Sequence, residues 1–155
     1  MEIREPKIED AKKISDLLCN TIKHVNSKDI NKEQLESWLK RNSLEEIQRK
    51  ITQEARSTFV LIDNNQIVGY LAMFLESKSL SSMYIKHDVI SKGYGKKLLE
   101  FAEEFAKKNG VDELNLESST FAFDFYKSKG YIPIKESFHD VNGTKIPVIV
   151  MRKKL

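Results

Sequence analysis

The stretch that decides the fold runs from Met83 to Leu99 and reads MYIKHDVISKGYGKKLL. It begins as a strand, passes through a short turn and continues into a strong helical pattern. Gly93 and Gly95 stand just before that helix, where backbone N–H groups are left uncovered at the positive end of the helix dipole. We therefore expect this turn to hold a phosphate group, and specifically a pyrophosphate.

Composition sets the class of protein. The 155 residues are 40% apolar and 32% charged, which predicts one domain over residues 1–155 with a core that needs neither disulfides nor a metal. The 26 basic and 23 acidic residues are too balanced to indicate nucleic acid. The longest apolar runs have strand length, which excludes a membrane span, and the Met1–Pro6 segment has no apolar signal core, which predicts the cytoplasm. The single cysteine, Cys19, is interpreted as a packing residue.

Hydrophobic periodicity divides the chain into alternating elements. Strands are predicted over Glu2–Glu5, Thr58–Asp63, Gln66–Glu76, Leu80–Ile85, Val111–Glu117, Tyr131–Ser137 and Lys145–Met151. Helices are predicted over Lys7–His24, Lys32–Arg41, a segment after Ser43, Gly95–Asn109 and Thr120–Lys129. Asn31 and Ser43 are predicted helix caps, Asn64-Asn65 a tight hairpin turn, and Arg152–Leu155 a frayed basic end.

A second motif lies downstream of the glycine turn. Residues Ser119 to Tyr131 read STFAFDFYKSKGY, with a Phe-Tyr pair on a helix that Gly130 ends. Together with Met83-Tyr84-Ile85 and Gly93-Tyr94-Gly95, this segment resembles the GNAT superfamily of acyl-CoA-dependent N-acetyltransferases, of the bacterial type with unassigned substrate. The resemblance spans essentially the whole chain.

The resemblance implies an α/β fold with a mixed, mostly antiparallel sheet of about seven strands, flanked by helices and split between the fourth and fifth strands to admit acetyl-CoA. The split strand would pair with the pantetheine arm and offer the Ile85 N–H to the thioester carbonyl, while the glycine turn would take the pyrophosphate. The implied acetyl-CoA-binding residues are Met83, Tyr84, Ile85, Ser91, Lys92, Gly93, Tyr94, Gly95, Lys96, Ser119 and Tyr126.

The implied reaction is direct transfer of acetyl to a primary amine of a small molecule or peptide. Tyr126 matches the family tyrosine that protonates the leaving thiolate, and Glu117 and Glu76 are candidates for the base. His24 and His87 are interpreted as structural, and no side chains show the spacing of metal ligands. Trp38 is interpreted as part of a small core with its helical neighbours, near the acceptor side.

Some points stay open at this level. Where the family has Arg or Gln three residues before the first glycine, this chain has Ile90, so we expect weakened or rearranged pyrophosphate binding. This departure keeps one alternative in view, a CoA-binding sensor or interaction module of the same fold without turnover. The segments that would recognise the acceptor are Ser27–Gln53, Glu76–Leu80 and the Phe138–Thr144 loop. The C-terminal hairpin is an edge that could pair with a second copy in a homodimer.

Overall fold

The computed structural model describes residues 1–155 and contains seven strands and five α-helices. The strands are β1 Glu2–Arg4, β2 Ser57–Asp63, β3 Gln66–Phe74, β4 Ser79–Ile85, β5 Glu113–Ser118, β6 Ile132–Val141 and β7 Thr144–Lys154. The helices are α1 Ala11–His24, α2 Lys32–Arg41, α3 Leu44–Ile51, α4 Tyr94–Lys108 and α5 Phe123–Ser128. None of them combines the length and the apolar character that crossing a bilayer requires.

All seven strands join one sheet in the order β1-β2-β3-β4-β5-β7-β6. Every neighbouring pair is antiparallel except β4 and β5, which run parallel because α4 carries the chain back along the sheet between them. The predicted fold class, a mixed and mostly antiparallel sheet of about seven strands flanked by helices, is confirmed.

The sheet is split between its two parallel strands. β4 and β5 are paired only at Ser79 with Asn115 and at Leu80 with Leu116. On the other side of β4, Ala72 pairs with Ser82 while Met73 pairs with Leu80, so Ser81 is an extra residue that forms a bulge. A bulge bends and twists its strand. The rest of β4 therefore diverges from β5 and leaves a gap.

The two faces of the sheet carry different helices. Phe59 and Leu61 of β2 belong to a buried cluster with α4, whereas Val60 between them packs in a second cluster with α1 and α3. This alternation follows from the two-residue period of a strand. We refer to these sides as the α4 face and the α1–α3 face.

The segment between α1 and β2 is ordered by its helix caps. Asn31 Oδ1 accepts a hydrogen bond from the Gln34 N–H at 2.8 Å, and Ser43 Oγ accepts one from the Glu46 N–H at 3.3 Å. Both contacts satisfy amides that a helix start leaves without a partner. α2 keeps its predicted bounds, and α3 follows Ser43 as predicted.

Three predictions near the C-terminus were wrong in detail. α5 begins at Phe123 instead of Thr120, because the Ala122 N–H turns to Ser119 Oγ at 3.2 Å and a separate turn precedes the helix. The predicted loop Phe138–Thr144 is mostly strand, since β6 and β7 continue to a two-residue turn at Asn142-Gly143. The basic end is not frayed: β7 runs to Lys154, and the Leu155 N–H bonds to the Asp112 carbonyl at 2.9 Å.

Gly69 of β3 lies where the sheet packs tightly against α4. A Cβ atom there would lie 3.2 Å from Ile85 Cδ1, from Leu61 Cβ and from Leu98 Cδ2. These three neighbours belong to β4, β2 and α4, so the missing side chain allows α4 to lie directly against the strand that lines the gap.

We predict that Gly69→Val lowers the free energy of unfolding by about 1–3 kcal/mol, because the added methyl groups overpack this contact. Urea denaturation monitored by circular dichroism measures the change. Gln66→Val is the matched control, since Gln66 is exposed on the same strand. Equal midpoints for the two variants would show that the close approach relaxes without cost.

Candidate active site

The gap between β4 and β5 opens into a cavity of about 460 Å³. This volume lies within the range of small-molecule sites. Its walls come from both split strands, α2, α3, the start of β2, α5 and the β6–β7 hairpin. Of the residues predicted for the site, those that line the cavity are Met83, Tyr84, Glu117, Ser119 and Tyr126.

The diverging part of β4 exposes backbone groups toward the gap. The Lys86 N–H donates to the Val68 carbonyl at 2.8 Å, so even-numbered residues of β4 face β3 in the ladder. Hydrogen bonds of an antiparallel pair alternate along the strand, which turns the N–H groups of Met83 and Ile85 toward the gap. The Ile85 carbonyl accepts a hydrogen bond from Thr21 Oγ1 at 3.2 Å. The Met83 and Ile85 amides are therefore free to pair with an extended ligand.

The glycine turn leads into the N-terminus of α4 without a side-chain cap. Ser91 has φ 76° and Gly93 has φ 86°, and the first helical hydrogen bond runs from the Lys97 N–H to the Gly93 carbonyl at 3.2 Å. The amides of Tyr94, Gly95 and Lys96 precede that bond and have no acceptor within the helix. They form, with the helix dipole, a concave anion-binding surface.

The side chains of this turn add an anchor and positive charge. The Tyr94 hydroxyl donates to the Asp63 carboxylate at the end of β2, and that hydrogen bond raises the pKa of Tyr94. Lys92 is exposed, and Lys96 has only a long contact of 3.9 Å with Glu100. Backbone amides and lysines at the turn together fit a pyrophosphate.

Tyr126 lies on α5 at the cavity wall and is 6% exposed. Its ring packs edge-to-face against Phe125 and Tyr131, with centroid distances of 5.3 and 5.6 Å. Burial raises the pKa of the Tyr126 hydroxyl, and neighbouring Tyr84 raises it further. The group therefore stays protonated at neutral pH and has a proton to give.

Trp38 and Tyr84 form part of the opposite wall. The Trp38 indole N–H donates to the Tyr84 hydroxyl at 3.0 Å, and both residues line the cavity. The Tyr84 side chain packs with the cluster on the α1–α3 face. The interpretation of Trp38 as part of a small core is thus incomplete, because α2 also brings it to the cavity.

Glu117 and His139 form a hydrogen-bonded pair in the cavity. His139 Nδ1 lies 3.0 Å from Glu117 Oε2, and this contact lowers the pKa of the Glu117 carboxyl. Leu116 packs on the α4 face, so Glu117, the next residue, points to the α1–α3 face. Because the carboxylate accepts, Nδ1 carries the proton in this contact, and Nε2 is an acceptor when the imidazole is neutral.

The structure does not bring the other base candidates into the cavity. Glu76 is exposed in the turn between β3 and β4, beyond the end where β4 and β5 are paired, and it does not line the cavity. His24 and His87 stack on each other at 4.0 Å and also lie outside it. Proximity therefore favours Glu117 over Glu76.

Sequence reasoning missed several residues of the cavity. His139 lay in a segment predicted as a loop, and the sequence of a loop does not indicate which way a side chain points. Had the segment been predicted as a strand, the alternation of its side chains between the two faces of the sheet would have indicated the side of His139. Three basic side chains, Arg41, Lys50 and Arg56, also line the cavity although they are not neighbours in sequence. No group of three or more His, Cys, Asp or Glu residues is arranged to hold a metal ion.

Proteins of known class resemble this chain in sequence and in fold. The family model for the acetyltransferase (GNAT) domain matches residues 26–155. The spermidine N(1)-acetyltransferase of Thermoplasma acidophilum is 26% identical, and the match covers 99% of this chain and 97% of that protein. Nothing in these matches indicates the alternative of a sensor without turnover.

Solved structures of acetyltransferases have the same fold as this chain. The GCN5-related N-acetyltransferase from Rhodopseudomonas palustris superposes with a TM-score of 0.89 at 20% identity, over 99% of this chain and 95% of the other. The PaiA N-acetyltransferase of T. acidophilum, solved in complex with coenzyme A, has a TM-score of 0.81 at 24% identity, over 99% and 98%. The chain belongs to the GNAT acetyltransferase family and is an acyltransferase.

Proposed function

We propose that this protein transfers an acetyl group from acetyl-CoA directly to the primary amine of an acceptor. The observation that carries the proposal is the continuity of the site: the open edge of β4 leads to the uncapped N-terminus of α4, and Tyr126 lies in the cavity beside that edge.

The donor would bind along β4 and the glycine turn. The free N–H groups of Met83 and Ile85 would pair with the amide-rich pantetheine arm as an added strand does. The amides of Tyr94, Gly95 and Lys96 would receive the pyrophosphate, with Ser91, Lys92 and Gly93 shaping the turn. The Ile85 N–H would stabilise the negative charge that develops on the carbonyl oxygen. Ser119 lies at the start of the α5 turn, at the sulfur end of this path.

An acceptor that binds as an ammonium ion loses two protons in the transfer, and the departing thiolate gains one. The Glu117–His139 pair, on the α1–α3 face, takes the first proton and leaves a neutral amine. The amine nitrogen attacks the thioester carbonyl, a C–N bond forms, the C–S bond breaks, and the second proton goes to solvent. Tyr126, which packs with the α4-face cluster, gives its proton to the departing thiolate. Acid and base would thus act from opposite faces of the sheet.

The acceptor would enter from the α1–α3 face, since α2, α3 and the β6–β7 hairpin form the walls there. The T. acidophilum relative is named for spermidine, which supports an amine as the acceptor class. A cytoplasmic location and pairing of two copies through the C-terminal hairpin stay predictions.

We predict that Lys96→Glu weakens coenzyme A binding about tenfold or more, equal to about 1.4 kcal/mol. Lys96 is the third residue of α4, where a glutamate interacts favourably with the helix dipole but repels a pyrophosphate. The gain from the helix dipole offsets the loss of the contact with Glu100, so the free variant should melt close to the wild type, while the stabilisation by coenzyme A decreases. Thermal denaturation with and without coenzyme A measures both.

Lys108→Glu is the matched control for this charge reversal, because Lys108 ends the same helix far from the turn. It should leave coenzyme A binding unchanged. If coenzyme A fails to stabilise the wild-type protein, the assignment of the glycine turn to a pyrophosphate is wrong.

We predict that Tyr126→Phe lowers kcat by about 10²-fold or more, the usual contribution of a general acid, while coenzyme A still binds. Release of free thiol from acetyl-CoA with a broad set of amines measures turnover. Tyr131→Phe is the control, because that hydroxyl bonds to Glu103 and lies outside the cavity. Unchanged turnover in Tyr126→Phe would rule out the acid assignment.

We predict that Glu117→Gln lowers kcat/KM by about 10²-fold at neutral pH. The kcat/KM of this variant should approach that of the wild type as the pH rises above the pKa of the acceptor amine. At neutral pH the amine is an ammonium ion and needs a proton acceptor, whereas at high pH it is already neutral. A pH profile of kcat/KM gives the measurement. Glu113→Gln is the control, since Glu113 lies on the same strand and pairs with Arg152 at 2.9 Å outside the cavity. Parallel profiles for wild type and Glu117→Gln would contradict the base role.

A further inference from the structure

The α1–α3 wall of the cavity carries three positive charges, and none of them forms an ion pair. Arg41 ends α2, Lys50 lies on α3, and Arg56 directly precedes β2. None of the ten ion pairs in the protein includes any of them. Glu117, the acidic residue in the cavity lining, is already bonded to His139.

One of these charges, Lys50, is buried and a second, Arg56, is half-buried. Lys50 is only 6% exposed, and its Nζ donates to the Arg41 carbonyl at 2.8 Å. Burial, followed by the charges of Arg41 and Arg56, lowers the pKa of Lys50 to about 8. Arg56 stacks on Phe74 at 4.6 Å and donates to Ser81 Oγ at 3.2 Å, and burial lowers its pKa as well.

A role in stability explains only part of this arrangement. The bond from Lys50 to the Arg41 carbonyl ties α3 to α2, but it does not require a charge on the Arg41 or Arg56 side chains. Like charges that are partly desolvated and unpaired oppose folding.

The phosphates of acetyl-CoA do not account for these charges. The turn that fits the pyrophosphate begins α4, which packs on the other face of the sheet. Arg41, Lys50 and Arg56 come instead from the elements that cover the α1–α3 face, where the acceptor would enter.

We propose that the acceptor carries an anionic group, a carboxylate or a phosphate, on the same molecule as its amine, and that Arg41, Lys50 and Arg56 bind this group. The inference rests on the proposed acetyl transfer. Guanidinium groups and an ammonium group are the donors that proteins use for such anions. A polycationic amine would be repelled by the same wall.

The experiment compares amines that differ only in the anionic group. The pairs are β-alanine with propylamine and O-phosphoethanolamine with ethanolamine, which also separate carboxylate from phosphate, and spermidine is the polycation. We expect one anionic member to exceed its neutral partner about tenfold or more in kcat/KM, since one well-placed ion contact supplies at least that discrimination. Thiol release from acetyl-CoA gives the rates.

Arg41→Met and Lys50→Met test the residues that the inference names. The Arg41 side chain makes no ion pair, so Arg41→Met should fold and carries the test. Lys50→Met keeps the buried volume but loses the bond to the Arg41 carbonyl, so circular dichroism checks its fold. Each should raise KM for the favoured anionic amine about tenfold and leave its neutral partner unchanged. Arg49→Met is the matched control, because Arg49 is exposed on α3 and pairs with Glu46 at 2.9 Å.

A second measurement separates this inference from the transferase proposal. Calorimetry on the protein saturated with coenzyme A compares the products N-acetyl-β-alanine and N-acetyl-phosphoethanolamine with the neutral N-propylacetamide. An anionic product that binds more tightly, with a preference lost in Arg41→Met, supports the anion site even if no amine is acetylated. Fastest turnover with spermidine, unaffected by either methionine variant, would overturn the anion site and support acetyl transfer. Absence of both turnover and anion preference would overturn both.

Discussion

The contact between β4 and β5 is limited to two residue pairs, and the site depends on that limit. A fully paired sheet would use the Met83 and Ile85 amides internally and leave no room for a ligand strand. The bulge at Ser81 turns β4 away early enough to free them, while Leu80 and Leu116 keep the two halves of the sheet joined. The unpaired stretch of β4 is the one along which the pantetheine arm would bind in the proposed function.

The split also separates charges that would otherwise interfere. In the proposed mechanism the amides at the start of α4 would face anionic phosphates, whereas Glu117 and His139 would act on a proton from the other face. Tyr126 lies between these regions in a buried setting that keeps its hydroxyl protonated. A basic wall near the amine has a further effect, because positive charges lower an amine's pKa and favour the neutral nucleophile.

Local patterns predicted the elements better than they predicted the site. The cap at Asn31, the bounds of α2 and the positive φ at Asn64 and Asn65 depend on nearby residues, and all agree with the structure. The fold class and the family were likewise predictable, because the glycine turn and the Phe-Tyr helix keep a fixed order. His139 and Lys50 reach the cavity through long-range packing, which one sequence does not reveal. The roles of Tyr126 and Glu117 stay predictions.

The hydrogen bond from Trp38 to Tyr84 has a spectroscopic consequence. Trp38 is the only tryptophan in the chain, and its indole lies at the wall of the cavity. All tryptophan emission of the folded protein therefore originates from one chromophore at the proposed acceptor site. Changes in wavelength or intensity report the polarity and hydration at that wall, without a contribution from a second indole. The molecule thus contains an intrinsic optical probe of its own cavity.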